Sequence, residues 1–497
     1  MSLKKLLIVP ALFTALCATA QQAETPQDTL TRFQGSYEAE VTATVSDRAG
    51  QTPFWLISNR GGLGSVKTDF GYVRGAVHTM GAIDRHWSWN AGVDLVGSWR
   101  TEAPFLIREL YGAIRYRDFQ LTVGSKLESD RLVDQNLSSG DLLFSGNALP
   151  IPQAMLRMPD YMYIPGTKHW LGFKAYISFG LYTDGDWQHS WVNPKLKYHK
   201  DILYHSKGLR LKIGNLDKFP VDFEGGLEMA AQFGGKEMRG ETVLRQFPHG
   251  FKDIIKIIFP SGGDSSAPTG EQTNVLGNHV GEWSARVNWH KPVGEGSMLS
   301  LYYLHFFEDH SMMFFDYVWH DGLLGVEAKL PKNPFLSKFV YEYMYTKYQA
   351  GPVYWDHTPE IPEQVSGLDD YYNHGVYGGW SNWGMGIGNP LLISPLWNSD
   401  HSLTFKCTRV ISHHFGLSGD PTPQLNWRFL ATYTRGWGRY WQPYHIVRNN
   451  INFLAEANWH PKSLHGWGGS ISLGLDNGSM VGHNFGAMFT IRKTGLL

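Results

Sequence analysis

The run Glu282–His290, EWSARVNWH, decides the fold. Trp283, Ala285, Val287 and Trp289 take alternate positions, and Glu282, Ser284, Arg286, Asn288 and His290 take those between. Successive side chains of an extended chain point to opposite faces, so one face of this strand is apolar and the other polar. A polar face bearing charge, opposite one tipped with tryptophan, is the pattern of a transmembrane β-strand with lipid outside and a wet lumen inside. Asn452–His460 repeats it, with Phe453, Ala455, Ala457 and Trp459 opposite Asn452, Leu454, Glu456, Asn458 and His460. Asn484–Arg492 places Phe485, Ala487, Phe489 and Ile491 on one side. An aromatic residue often closes an end of the apolar face, where an interfacial girdle belongs.

Composition agrees with this reading. Charged residues are 18% of the 497, against about 25% in ordinary soluble domains, while aromatics reach 14% and glycine numbers 55. No apolar run is long enough for a membrane helix. The 44 basic residues against 45 acidic ones give no excess that would suit nucleic acid. The first 20 residues read as a secretion signal: Lys4 and Lys5, an apolar Leu6–Leu16, and Ala18-Thr19-Ala20 before the cut. Leu16 before Cys17 is not the small residue a lipid anchor wants, and cleavage leaves Cys407 without a disulfide partner. Residues 21–35 are polar and expected to be flexible; 36–497 form the barrel.

Further strands are expected at Tyr37–Val45, Phe70–Met80, Trp87–Trp99, Arg108–Tyr116, Phe119–Lys126, Leu171–Tyr182, Ser190–Tyr204 and Leu209–Asn215. The others are Phe223–Phe233, Met298–Phe307, Leu323–Leu330, Lys338–Tyr348, His401–His414, Asn426–Gly436 and Ser470–Leu475. The total is about 18, an even number suited to a single-chain outer-membrane barrel. Tight turns are read at Arg117-Asp118, Asp184–Asp186, Ser206–Gly208, Pro331–Pro334 and Asp420–Pro423. Three long segments remain, 128–169, 234–278 and 349–400, expected to plug the lumen or cap its mouth. Within the second, Gln246–Phe259 reads as a short helix, with Phe251, Ile254, Ile255 and Ile258 on one side. That face needs the barrel wall or another loop to cover it.

The third segment holds DDYYNHGVYGGWSNWGMGIGNPLLISP, Asp369–Pro395, too glycine-rich for a helix or regular strand. Sugars present C–H surfaces that pack on aromatic faces, and hydroxyls that seek short polar side chains. On that chemistry the candidate glycan-binding residues are Tyr371, Tyr372, Trp380 and Trp383, with Asp369, Asp370, Asn373, His374 and Asn389 as polar partners. The opposing reading is that these rings pack the loop onto the barrel mouth, or belong to the girdle.

Four segments carry a family likeness: TPFWLISNRGG (Thr52–Gly62), RELYGAIRYRDFQLTVGSK (Arg108–Lys126), NALPIPQ (Asn147–Gln153), and YYNHGVYGGW with GIGNPL (Tyr371–Trp380, Gly386–Leu391). Together they resemble the Wzi family of outer-membrane capsule-assembly proteins. The resemblance implies an 18-stranded barrel whose loops and a small helical element obstruct the lumen. It also implies a lectin that holds capsular or other surface polysaccharide, and it brings no catalytic residue. The end Gly495-Leu496-Leu497 departs from the aromatic terminus of many such barrels.

The expectation is thus a monomeric, non-enzymatic outer-membrane lectin, with polysaccharide and membrane lipid as partners and no cofactor. A sugar-selective porin is the alternative, for which lumen residues such as Arg286 and Glu456 would suit. Asp369 with Asp370, or Glu360 with Glu363, could suggest a glycoside hydrolase, but loop neighbours do not fix the required carboxylate spacing. His413 and His414 would point to opposite faces and cannot share an ion, and His305 and His310 lack a ligand spacing. No phosphate loop, dinucleotide fingerprint or serine elbow is present.

Overall fold

The computed structural model describes residues 33–47, 50–308, 313, 320–349, 353–355, 359, 365–366 and 369–497. The secretion signal, Cys17, most of the expected flexible segment 21–35, His310, Glu360 and Glu363 lie outside the described residues.

One antiparallel sheet closes on itself. Its strands, in chain order, are β1 (Gln34–Ser46), β2 (Gly71–Ala82), β3 (Trp87–Trp99), β4 (Phe105–Tyr116), β5 (Phe119–Ser125) and β6 (Gln153–Arg157). They continue with β7 (Leu171–Leu181), β8 (Leu203–Ile213), β9 (Val221–Phe233), β10 (Asn278–His290), β11 (Met298–Glu308) and β12 (Gly322–Lys329). The ring is completed by β13 (Lys338–Tyr345), β14 (Val410–Thr422), β15 (Leu425–Gly438), β16 (Pro443–Trp459), β17 (Trp467–Gly478) and β18 (His483–Leu496). Each strand pairs with the next, and Met162–Tyr163 prolongs the line of β6 along β7. Closure comes from β1 against β18, in register from Ser36↔Leu496 to Ser46↔Gly486. The ring has 18 strands and leaves no unpaired sheet edge, which is the condition for strands to cross a membrane. No helix among the described residues is long and apolar enough to do so.

The alternation holds in the wall. Val287, Trp289, Phe453, Trp459, Phe485, Phe489 and Ile491 are exposed on the outer face. Glu282, Arg286, Asn288, Leu454, Glu456 and Asn484 are buried toward the lumen. Trp87, Trp289, Trp459 and Trp467 stand exposed at the end where the termini lie, where all connections are short. The opposite, loop end carries every long connection.

Those loops occupy much of the lumen, leaving a cavity lined by Arg131, Tyr176, Arg210 and Glu228. Helix α1 (Phe54–Ile57), entirely buried, lies against the inner wall of β17. Gly474 makes room for it: a Cβ there would meet Pro53 Cβ at 2.7 Å and Leu56 Cγ at 2.9 Å. The Trp55 indole N–H donates to Thr432 Oγ1 at 3.1 Å, and the Phe54 N–H to Asp476 Oδ2 at 2.9 Å. The segment after β5 is held by wall carboxylates. Glu342 accepts from the Ser138 hydroxyl (2.5 Å) and the Ser139 N–H (2.7 Å), and Glu282 from the Leu142 and Leu143 N–H groups. Arg286 and Glu456, the residues that would have suited a conducting lumen, are paired instead. Arg286 bonds Glu327 and the Leu132 carbonyl, and Glu456 bonds Arg60 and Arg428. A buried carboxylate must be hydrogen-bonded on its remaining lone pairs, and here plug backbone supplies those bonds.

The strand total agrees with the expectation through compensating differences. Ser190–Tyr204 is no strand: it covers the end of helix α2 (Gly185–Trp191), a short strand Tyr198–Lys200 in the loops, and the start of β8. β8 then runs unbroken through Ser206–Gly208, where a turn was expected, and Asp184–Asp186 opens α2 rather than a turn. β6 lies inside the first long segment, where no strand was expected. The strand expected from His401 begins at Val410 and reaches Thr422. Helix α3 spans Phe251–Ile258, inside the expected Gln246–Phe259, and packs on the outer face of the wall. The small helical element in the lumen is therefore α1.

Candidate functional site

The segment expected to contact glycan forms the heart of the plug. Tyr371, Tyr372, Trp380 and Asn389 are 1% exposed or less. The Trp380 indole N–H donates to the Leu143 carbonyl at 2.8 Å, and its ring stacks on Tyr204 of the wall. Tyr372 donates to the Leu142 carbonyl, accepts the Asn389 N–H at 2.9 Å, and binds Glu308 through its own N–H at 2.7 Å. These bonds hold it at φ +66°, a left-handed conformation rare for a bulky residue. Tyr371 donates to Asp321 at 2.9 Å. Asp370, buried like Asp369, accepts from Thr408 and pairs with Arg439. Asn389 donates to Ser139 and the Gly140 carbonyl. Asn373 trades two hydrogen bonds with the Phe405 backbone. His374 accepts the Val376 and Tyr377 N–H groups, and burial, with His199 nearby, pushes its imidazole down to about 4. Six of the expected nine are thus buried in loop and wall, and Asn373 and His374 are half-buried, with side-chain atoms bonded to loop backbone. The ninth, Trp383, is half-buried beside Trp187, with ring centroids 6.1 Å apart.

Trp187 leads to an open site at the loop end. A groove of about 440 Å³ is lined by Gln51, Lys67, Glu102, Trp187, Trp191, Trp397, Asn398 and His401, among others. Helix α2 builds one side. Trp187 and Trp191 are four residues apart, hence neighbours on one helix face, and their rings stack at 5.1 Å and 19°. His401 extends the stack onto Trp191 at 4.9 Å and 19°, fixed by its Nδ1 against the Trp191 carbonyl at 2.8 Å. Asp184, before α2, accepts the Trp383 N–H at 3.0 Å and Gln188 Nε2 at 3.1 Å; burial raises its carboxyl above the usual range. Trp397, in a turn of 3-10 helix, packs on Phe54 of α1 and so ties the groove floor to the plug. Lys67 pairs with Glu102 at 3.1 Å on the far side.

Two features give this groove chemistry. Its rings are held rigid by stacking, so binding costs little side-chain ordering. The indole N–H groups of Trp187 and Trp397 are buried and have no protein partner; buried donors are normally satisfied. Rigid apolar rings with neighbouring amide and hydroxyl groups match an amphipathic, polyhydroxylated ligand, while the two buried indole N–H groups lie beneath the groove surface. The sequence signal lay in WQHSWVN (Trp187–Asn193) and SPLWNSDH (Ser394–His401). It was masked because both runs overlapped expected strands or the edge of one.

Among the described residues no group of three or more His, Cys, Asp or Glu side chains could hold a metal ion. His413 and His414 do point to opposite faces, His413 to Tyr341 and His414 to the Leu137 carbonyl and Thr432.

The fold and site together define an outer-membrane-type β-barrel, plugged by its own loops and bearing an open aromatic groove at the loop end. No family model matches the sequence, and no curated protein matches it. Among solved structures the chain is similar to Wzi of Escherichia coli, described as an outer membrane protein involved in group 1 capsule assembly and a carbohydrate-binding β-barrel. The match has TM-score 0.56 and 12% identity, covering 91% of this chain and 83% of that one. Pseudomonas aeruginosa OccK2 (OpdF) aligns at TM-score 0.49 and 8% identity, over 95% of this chain and all of that one. OccK5 (OpdH) of the same organism aligns at 0.47 and 10%, over 94% and 99%.

Proposed function

We propose that this protein is a non-enzymatic, carbohydrate-binding barrel of a bacterial outer membrane, which holds capsular or other surface polysaccharide and assists capsule assembly. The observation that carries the reading is the groove of Trp187, Trp191, Trp397 and His401 above a lumen occupied by loops. In bacterial outer-membrane barrels short turns face the periplasm and long loops the outside, which would put this groove on the cell surface. The fold likeness to a barrel described as carbohydrate-binding is consistent with it. A polymer of repeating units would be held through many weak contacts, so local density of barrels matters as much as the affinity of one groove.

A sugar-selective porin would need a continuous lumen, whereas here plug backbone is bonded to wall carboxylates at Glu282 and Glu342. Purified protein in a planar bilayer is expected to give no stable open pore, and cells producing it to retain surface polysaccharide that cells lacking it shed. A large steady conductance with unchanged retention would replace this reading with the channel.

A further inference from the structure

The outer wall is apolar and largely exposed, with two covered patches near the loop end, one of them at Met229 and Phe307 beside Met313. Near the loop end of β7, β8 and β9, the outward-facing residues Ala231 and Phe233 are 0% and 2% exposed, with Phe179 and Leu203 packed beside them. They are covered by α3, whose Ile257 is fully buried and whose Ile254 joins the same cluster. Two polar residues on this outer face make sense only under such a cover. Lys207 donates to the Ile258 carbonyl at the C-terminus of α3, where a cation is favoured by the free carbonyls. His205 is buried, its ring 4.5 Å from that of Phe179. So α3 lies outside the barrel, alongside the wall.

Its apolar surface is wider than the wall needs. At about 100° per residue, Ile257 and Ile254 mark the buried side, while Phe251, Ile255 and Phe259 run down the side facing away. Phe251 and Phe259 are 71% and 70% exposed and Ile255 is 42% exposed. Beyond that stripe come Lys252 and Lys256. The exposed stripe continues the apolar band of the wall below it, where Leu209, Leu211 and Ile213 of β8 are exposed. An amphipathic helix with an aromatic-aliphatic face and lysines at its polar edge is the form that lies in a membrane interface. Anionic headgroups complement the lysines.

We infer that α3 is seated in the membrane leaflet at the loop end, with Phe251, Ile255 and Phe259 among lipid acyl chains and Lys252 and Lys256 on anionic headgroups. The helix widens the barrel's lipid contact on one side and fixes the loop between β9 and β10 to the membrane surface. This does not depend on the groove binding sugar.

The test uses the full chain in nanodiscs holding one barrel each, labelled with an environment-sensitive fluorophore at Phe251→Cys or Phe259→Cys. Glu241→Cys, in the exposed loop hairpin, is the solvent control; native Cys407 is buried and slow to label. Lipids brominated on their chains are expected to quench the label at 251 and 259 roughly twofold or more, and the label at 241 little. Lys252→Ser with Lys256→Ser is expected to remove any preference for phosphatidylglycerol over phosphatidylcholine discs while quenching persists. Unquenched labels at 251 and 259 overturn the proposal. So does crosslinking between copies through these positions in crowded membranes without quenching in single-barrel discs, which would make the stripe a protein interface. Lipid quenching that ignores both headgroup charge and the lysines overturns the headgroup assignment.

Discussion

Two loop regions of this barrel are built from the same residue types and do opposite things. Asp369–Pro395 and the groove formed by α2 with Ser394–His401 both combine tryptophan, asparagine, histidine and aspartate. In the first, the Trp380 N–H is satisfied by the Leu143 carbonyl and the ring is fully buried. In the second, the rings of Trp191, Trp397 and His401 border open space, with Trp187 buried behind them. Aromatic content marks where binding free energy is available; whether it is spent on the protein's own backbone or left for a ligand depends on access.

The largest effects should come from breaking the inner region. Trp380→Ala with Tyr372→Ala removes two buried rings and strands the Leu142 and Leu143 carbonyls. The loss should be several kcal/mol, about 3 to 5 for the tryptophan alone, seen as a lower thermal midpoint and as new conductance where the plug is released. As candidate glycan contacts the pair would affect polysaccharide attachment; as buried residues they are expected to affect the plug first. Glu342→Gln weakens the bonds from Ser138, Ser139 and Tyr302 and should cost about 2 to 3 kcal/mol, with brief channel openings as its signature.

A pH step tests the layer between the two regions. His199, in Tyr198–Lys200, is buried, with Nε2 at 2.7 Å from the Val376 carbonyl and Nδ1 without a partner. Burial lowers its pKa to about 4. The folded state resists a proton that the unfolded histidine takes up near 6.5, so stability is full above that pH and falls as pH drops toward 4. The loss is about 2 kcal/mol by pH 5. Hydrogen exchange of residues 371–380, corrected for its intrinsic pH dependence, should quicken over that interval in the native protein and less so in His199→Asn, where His374 still resists protonation. The smallest effect belongs to the groove edge. His401→Ala should leave the fold intact and cost about 0.5 to 1 kcal/mol of polysaccharide affinity, read by titration with purified polymer.

The barrel was legible because alternation is a local property. Lipid and lumen impose opposite demands on neighbouring residues, and Glu282–His290 records both. Closure, the even strand number and the long loops followed from that record. The first plug segment was less legible because β6 is only five residues long and pairs within a loop-rich stretch. Ser190–Tyr204 misled because Trp191, Val192 and Tyr198 imitate a strand while serving a helix end and a loop sheet. For the site, sequence showed which side chains could meet a sugar, not which would be buried first. Trp380 and Trp397 have comparable neighbours, and their difference in exposure is set by contacts such as Leu143 and Phe54, remote in sequence. The direction in which α3 packs was likewise open: its apolar arc is wide enough to serve a wall and a lipid surface at once.

The most direct measurement is a titration of purified surface polysaccharide into detergent-solubilised protein, comparing the native chain with Trp191→Ala combined with Trp397→Ala. Loss of about tenfold in affinity, or about 1.4 kcal/mol, with the barrel still folded and no conductance, is the expected result. Native-strength binding by the double variant would contradict the assignment of the groove as the place where the polymer is held.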